Sequence, residues 1–141
     1  MRAPLSPNKH VHAEQYVANF FRSNGWSVEM QQEDSLSADL LIRHGKHRFI
    51  VEIKALSEGR PDRVLPVLSM AILQAKAAAE LSGNALPLAI IFVPEASLSL
   101  AKHVEVFAQK FAKDVPVGVI SGRGEQYFSG EAFQQLNRLP E

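Results

Sequence analysis

The chain has 141 residues, 46% hydrophobic and 21% charged, a balance that excludes a disordered or low-complexity polypeptide and suits one compact domain with its own core. Its 15 Lys and Arg balance 15 Asp and Glu, which excludes a strongly basic surface spread over the whole molecule. Cysteine is absent, which excludes disulfides and thiolate zinc sites and fits a cytoplasmic location.

From the N-terminus, MRAPLSPNKH has no apolar core of the kind a secretion signal needs. Residues 1–8 read as a loose tail on a single domain occupying 1–141. Residues 9–23, KHVHAEQYVANFFRS, carry Val11, Val17, Ala18, Phe20 and Phe21 at helical spacing, and Asn24-Gly25 supplies the stop. WSVEMQQ alternates Trp26, Val28 and Met30 with polar residues, as a strand does. After the loop EDSLS, the segments ADLLIR and RFIVEIKAL flank HGKH, the pattern of a hairpin.

SEGRPDRVLP reads as a loop with Pro61 and Pro66 as breakers, and VLSMAILQAKAAAELSG as a helix closed by Gly83. LPLAIIFV is a continuous apolar run, as expected of a strand covered on both faces. LSLAKHVEVFAQKFAKD is amphipathic, with Leu100, Val104, Phe107 and Phe111 as its stripe. VPVGVIS is a last core strand, and GRGEQYFSGEAFQQLNRLPE reads as a short edge element followed by a helical turn. Nothing approaches a membrane-spanning run, so no membrane partner is expected. The order α-β-β-β-α-β-α-β predicts an α/β fold: a mixed central sheet with an initial antiparallel hairpin, flanked by helices on both sides.

The charges within the hairpin carry the functional argument. With Gly45-Lys46 as a two-residue turn, His44 faces His47, Arg43 faces Arg48, and Asp39 faces Glu52. Directly opposed residues hold their Cβ atoms about 4.5–5.5 Å apart on one face. Lys54 lies on that face too, diagonal to Asp39. Opposed carboxylates repel, and their natural partner is a hard divalent cation such as Mg²⁺. On the first helix Glu14 falls inside the apolar stripe with Val17, Ala18 and Phe21. On the second, Gln74 falls among Val67, Met70, Ala71, Ala78 and Leu81, which places it on the inward face. Residues 43–63 hold six Lys and Arg against three Asp and Glu, and Arg60 and Arg63, at the site's end of the hairpin, are candidate phosphate contacts.

Ala38-Asp39, twelve intervening residues, then Glu52-Ile53-Lys54 resembles the motif of the PD-(D/E)XK nuclease superfamily, with Ala38 in place of the name-giving proline. The element order agrees with that restriction-endonuclease-like fold from about residue 9 to residue 120. The stretch from AEQYVANFFRSNGWSVE to VEIKAL is similar to the small Holliday-junction resolvase and Mrr/RecB-like branches. The resemblance implies a metal-dependent endonuclease that hydrolyses DNA phosphodiester bonds in repair, recombination or restriction, as a homodimer or within a larger nuclease complex. Asp39, Glu52 and the Ile53 carbonyl would bind Mg²⁺, with Mn²⁺ as a substitute, and Glu14 would complete the acidic cluster. Lys54 would position or activate the attacking water and stabilise charge on the phosphate, and Gln74 would support the site.

Two rival readings stand beside this one. A non-catalytic DNA-binding or protein-interaction module could retain the same scaffold, which the zero net charge favours. Alternatively, Glu52-Ile53-Lys54 is the solvated side of an ordinary strand, which predicts widely exposed Asp39, Glu52 and Lys54 with Glu14 away from them.

Overall fold

The computed structural model describes residues 8–30 and 39–136; the tail before residue 8, the loop around EDSLS, the last two residues of WSVEMQQ and Ala38 lie outside them. The elements are α1 (Asn8–Ser23), β1 (Ser27–Met30), β2 (Leu40–His44), β3 (His47–Ala55), α2 (Pro61–Ser82), β4 (Leu86–Val93), α3 (Leu98–Phe111), β5 (Val117–Ser121), β6 (Gln126–Phe128) and α4 (Glu131–Leu136). The six strands form one sheet in sequential order. β1–β2, β2–β3 and β5–β6 are antiparallel, whereas β3–β4 and β4–β5 are parallel. Each parallel crossover contains one helix, as parallel pairing requires.

From the turn to Leu40 the hairpin has the expected register, with His44 opposite His47, Arg43 opposite Arg48 and Leu40 opposite Val51; the ladder ends there, and Asp39, expected opposite Glu52, instead turns its N–H to the Val51 carbonyl. Gly45 takes φ 62 while Lys46 keeps a negative φ, the backbone signs of a two-residue II′ turn.

Side-chain alternation divides the core into two layers. Leu40, Ile42, Phe49, Val51, Ile53, Leu88 and Ile90 pack with Ala13, Val17, Ala18 and Phe21 of α1. Ala89, Ile91, Val93, Val117 and Val119 pack on the other face, beneath Val64, Leu68, Ala71 and Ile72 of α2 and Leu100, Val104 and Ala108 of α3. Phe133 of α4 closes the first layer inside an aromatic cluster with Phe21, Trp26, Phe49 and Phe128.

Four expectations about the helices are corrected. α2 begins at Pro61 rather than after Pro66. Pro61 needs no N–H in the first turn, and Pro66 sits inside the helix on its exposed side, where water can serve the carbonyl left without a donor. The inward stripe of α2 is Val64, Leu68, Ala71, Ile72, Ala75, Ala78 and Ala79. The stripe expected to be inward instead contains exposed Met70 and Leu81, 53% and 72% accessible, and Gln74 lies in the open with them. The helix is apolar on both sides, so hydropathy alone does not choose its buried face. For the same reason α2 is long and apolar enough by composition to cross a membrane, against the expectation that nothing in the chain approaches such a run, yet one side of it packs on the sheet. On α3, Ala108 continues the buried stripe and Phe111 is exposed. Ser97 caps this helix, its hydroxyl accepting the Leu100 N–H at 3.0 Å.

Candidate functional site

β3 carries the site because its two faces serve different layers. Glu52 is in parallel register with Ala89, and Lys54 with Ile91, so both side chains lie on the α2/α3 face. Asp39 stands at a bend just before β2. With the pair flanking a two-residue loop hydrogen-bonded, alternate rungs bond thereafter, and Ile53 is the next β3 residue after Val51 to direct its N–H toward β2. That N–H donates to Oδ2 of Asp39 at 2.8 Å, while the Asp39 N–H donates to the Val51 carbonyl at 3.0 Å. The carboxylate of Asp39 thus takes the place of a backbone acceptor in the ladder. A residue's N–H and C=O point to the same neighbour in a strand, so the Ile53 carbonyl is directed to the Asp39 side as well.

Lys54 Nζ and Glu52 Oε2 form an ion pair at 3.4 Å, with side chains only 24% and 13% exposed. Asp39, Glu52 and Lys54 are therefore gathered around one end of the hairpin and are partly covered. A simple solvated strand face predicts the opposite exposure.

The helical contributions are placed differently. Glu14 is partly buried in the inward stripe of α1, as its spacing indicates. The Tyr16 and Phe92 rings lie 5.0 Å apart, and Phe92 is in register with Ala55. Glu14, in the same turn of α1 as Tyr16, is therefore near the C-terminal end of β3, but α1 covers the face opposite to Glu52 and Lys54. Among the described residues no group of three or more His, Asp or Glu side chains is gathered to hold a metal ion, so an acidic trio completed by Glu14 is not formed. Gln74, exposed on the outer side of α2, does not support the site.

Arg60 stands at the N-cap of α2 and is engaged by Asp62 at 3.0 Å and Glu58 at 3.5 Å. Its charge is locally compensated. Arg63, in the first turn of the helix, is exposed.

Sequence reasoning missed a neighbouring crevice of about 390 Å³ at the C-terminal ends of the parallel strands, lined by Glu58, Arg60, Glu95, Ser97 and Glu125 among others. Glu125 braces it: Oε1 accepts the Ala96 N–H and the Ser121 hydroxyl, each at 2.9 Å. The Ala96 and Ser121 hydrogen bonds, then the Arg123 charge, hold the Glu125 carboxyl below the usual carboxylate range against an opposing effect of burial. No local motif announces this brace, because Glu125 meets Ala96 only through the fold. Comparison with family models, curated proteins and solved structures gives no match for the chain, so the residues themselves carry the functional argument.

Proposed function

We propose that this protein is a metal-dependent nuclease of the PD-(D/E)XK type, with the restriction-endonuclease-like fold, acting on DNA phosphodiester bonds. The observation that carries the reading is the coupling of Asp39 to Ile53, between Glu52 and Lys54. One backbone hydrogen bond brings an acidic residue at the start of β2 beside the Glu-x-Lys of β3, on partly covered ground.

The residues fit a Mg²⁺ ion that keeps several waters, since such an ion accepts one or two carboxylates rather than a full protein cage. Asp39 and Glu52 would hold it, with the Ile53 carbonyl directed to the same side. When bound, the ion supplies Lewis-acid polarisation of the phosphate and a more acidic water. Lys54 places a positive charge where a phosphate would gain negative charge during cleavage, and its partial burial strengthens that interaction. Glu52 orients the Lys54 ammonium through their ion pair. Asp39 keeps its carboxylate aligned because one oxygen is tied to the β3 backbone.

Binding without cleavage is the second reading, favoured by the lack of a third gathered carboxylate among the described residues. One assay separates the two. Supercoiled, branched and single-stranded DNA are incubated with the protein in Mg²⁺ or Mn²⁺, beside Asp39→Asn and Lys54→Ala. Cleavage by the wild type and its loss in both variants supports the nuclease; no cleavage, or equal cleavage by all three proteins, rejects it.

A further inference from the structure

The far end of the same hairpin face holds two arginines in an arrangement that folding alone disfavours. Arg43 on β2 and Arg48 on β3 are direct cross-strand partners. Because His44 and His47 close the turn as a hydrogen-bonded pair, Arg43 and Arg48 occupy the non-bonded rung, where opposed side chains come closest, with Cα atoms about 4.5 Å apart. Like charges directly opposed on a sheet are destabilising.

No neighbour among the described residues compensates them. Neither arginine forms an ion pair or a side-chain hydrogen bond there, and the Arg48 Nε is buried without an acceptor. Glu29, opposite Leu41 on β1 and so diagonal to Arg43, forms no ion pair with it. Arg43 is exposed and Lys46 extends the positive charge around the exposed turn.

The arginines lie on the side of the sheet that bears Glu52 and Lys54, because residues 48, 50, 52 and 54 alternate onto one face. Ile50, between the two ends, packs with Ala78 near the end of α2. Six residues of strand separate Arg48 from Lys54, about 20 Å.

We propose that Arg43 and Arg48 form a phosphodiester-binding fork for the backbone of a nucleic acid at the turn end of the hairpin, beyond the stretch of β3 that α2 covers at Ile50. Two planar guanidiniums carried on directly paired residues of adjacent strands offer several donors to one bridging phosphate, and the anion would relieve their mutual repulsion. The fork explains how a chain of zero formal charge engages a polyanion: the positive charge is local. The fork stands independently of the nuclease reading above.

The test is fluorescence-anisotropy binding of labelled DNA and RNA, as duplexes of about two helical turns and as single strands, without divalent cation so that cleavage plays no part. Arg43→Gln/Arg48→Gln is compared with Lys102→Gln/Lys110→Gln, which removes the same charge from α3. Arg43→Gln alone serves as a variant at an exposed position, and melting temperatures verify folding. The fork predicts at least about tenfold weaker binding for the double arginine variant, with the slope of log K against log salt reduced by about one for each phosphate no longer neutralised. The lysine control stays within about twofold, and Arg43→Gln falls between. Absence of nucleic-acid binding by the wild type, or equal losses in the arginine and lysine variants, overturns the proposal. Arginine-dependent binding by a protein that cuts nothing leaves the fork standing and removes the nuclease. Cleavage with arginine-independent binding does the reverse.

Discussion

The Ile53 N–H donates to the Asp39 carboxylate at 2.8 Å, so one side chain serves both the hairpin ladder and the candidate site. These roles are separable. Asp39→Ala leaves the Ile53 N–H without this acceptor and is expected to cost about 1–3 kcal/mol of stability. Asp39→Asn keeps an acceptor oxygen, so its melting temperature stays near wild type while nuclease activity is lost. Denaturant unfolding and DNA cleavage, measured on both variants, check the pair of outcomes.

Lys54→Ala removes the positive charge nearest the proposed phosphate position. The expected fall in the cleavage rate is about 10²–10³-fold, the scale of losing one oriented electrostatic stabiliser. Lys54→Arg restores charge on a different shape and should recover little of it. Single-turnover cleavage with saturating protein reads the effect separately from binding.

Gln74→Ala is expected to change neither cleavage nor stability, the latter within about 0.5 kcal/mol, because an exposed side chain away from special contacts contributes little. A substantial loss of cleavage would place Gln74 back in the site.

Gln74 also marks where sequence patterning stops being informative. Gly45, the alternating strands and the short loop constrain the hairpin locally, so the register that aligns β2 with β3 is readable from residues 40–51. The two polar residues of Glu52-Ile53-Lys54 are legible because they interrupt an apolar strand on one face. α2 offers no such contrast: Met70, Leu73 and Leu81 are exposed and as apolar as Leu68 and Ile72 beneath them. Only the sheet selects between these stripes. Glu14 is legible as an inward residue, but which side of the sheet α1 covers is a property of chain topology rather than helical periodicity.

Glu125 provides a pH-dependent test of the brace across the β4–α3 and β5–β6 connections. Its carboxyl is held below the ordinary range by the Ala96 and Ser121 hydrogen bonds and by Arg123. A carboxyl with a depressed folded-state pKa contributes stability that is fully present above its unfolded value and lost as pH falls through the folded one. The wild type should therefore lose melting temperature on acidification through and below the carboxylate range, and Glu125→Gln should show a shallower loss. Parallel acid titrations of thermal unfolding measure the difference.

Phe133→Ala is expected to cost about 3–5 kcal/mol, since it empties a fully buried aromatic position. Phe133 stacks on Trp26 at 5.6 Å and meets Phe49 edge-on at 5.2 Å. Trp26 emission should shift to longer wavelength as the indole gains water, reporting the loss optically alongside denaturant unfolding.

The turn at Gly45 has a consequence beyond joining two strands. Pleated strands have only two phases, so a hairpin that closes one residue out of step sends every side chain of β3 to the wrong layer. Arg48, Glu52 and Lys54 would be driven among the apolar contacts of α1, while Val51 and Ile53 would emerge on the other side. A large part of the core therefore proofreads the alignment of a few polar residues: the hydrophobic cost of a slipped hairpin protects the chemistry, although Gly45 itself is distant from it along the strand.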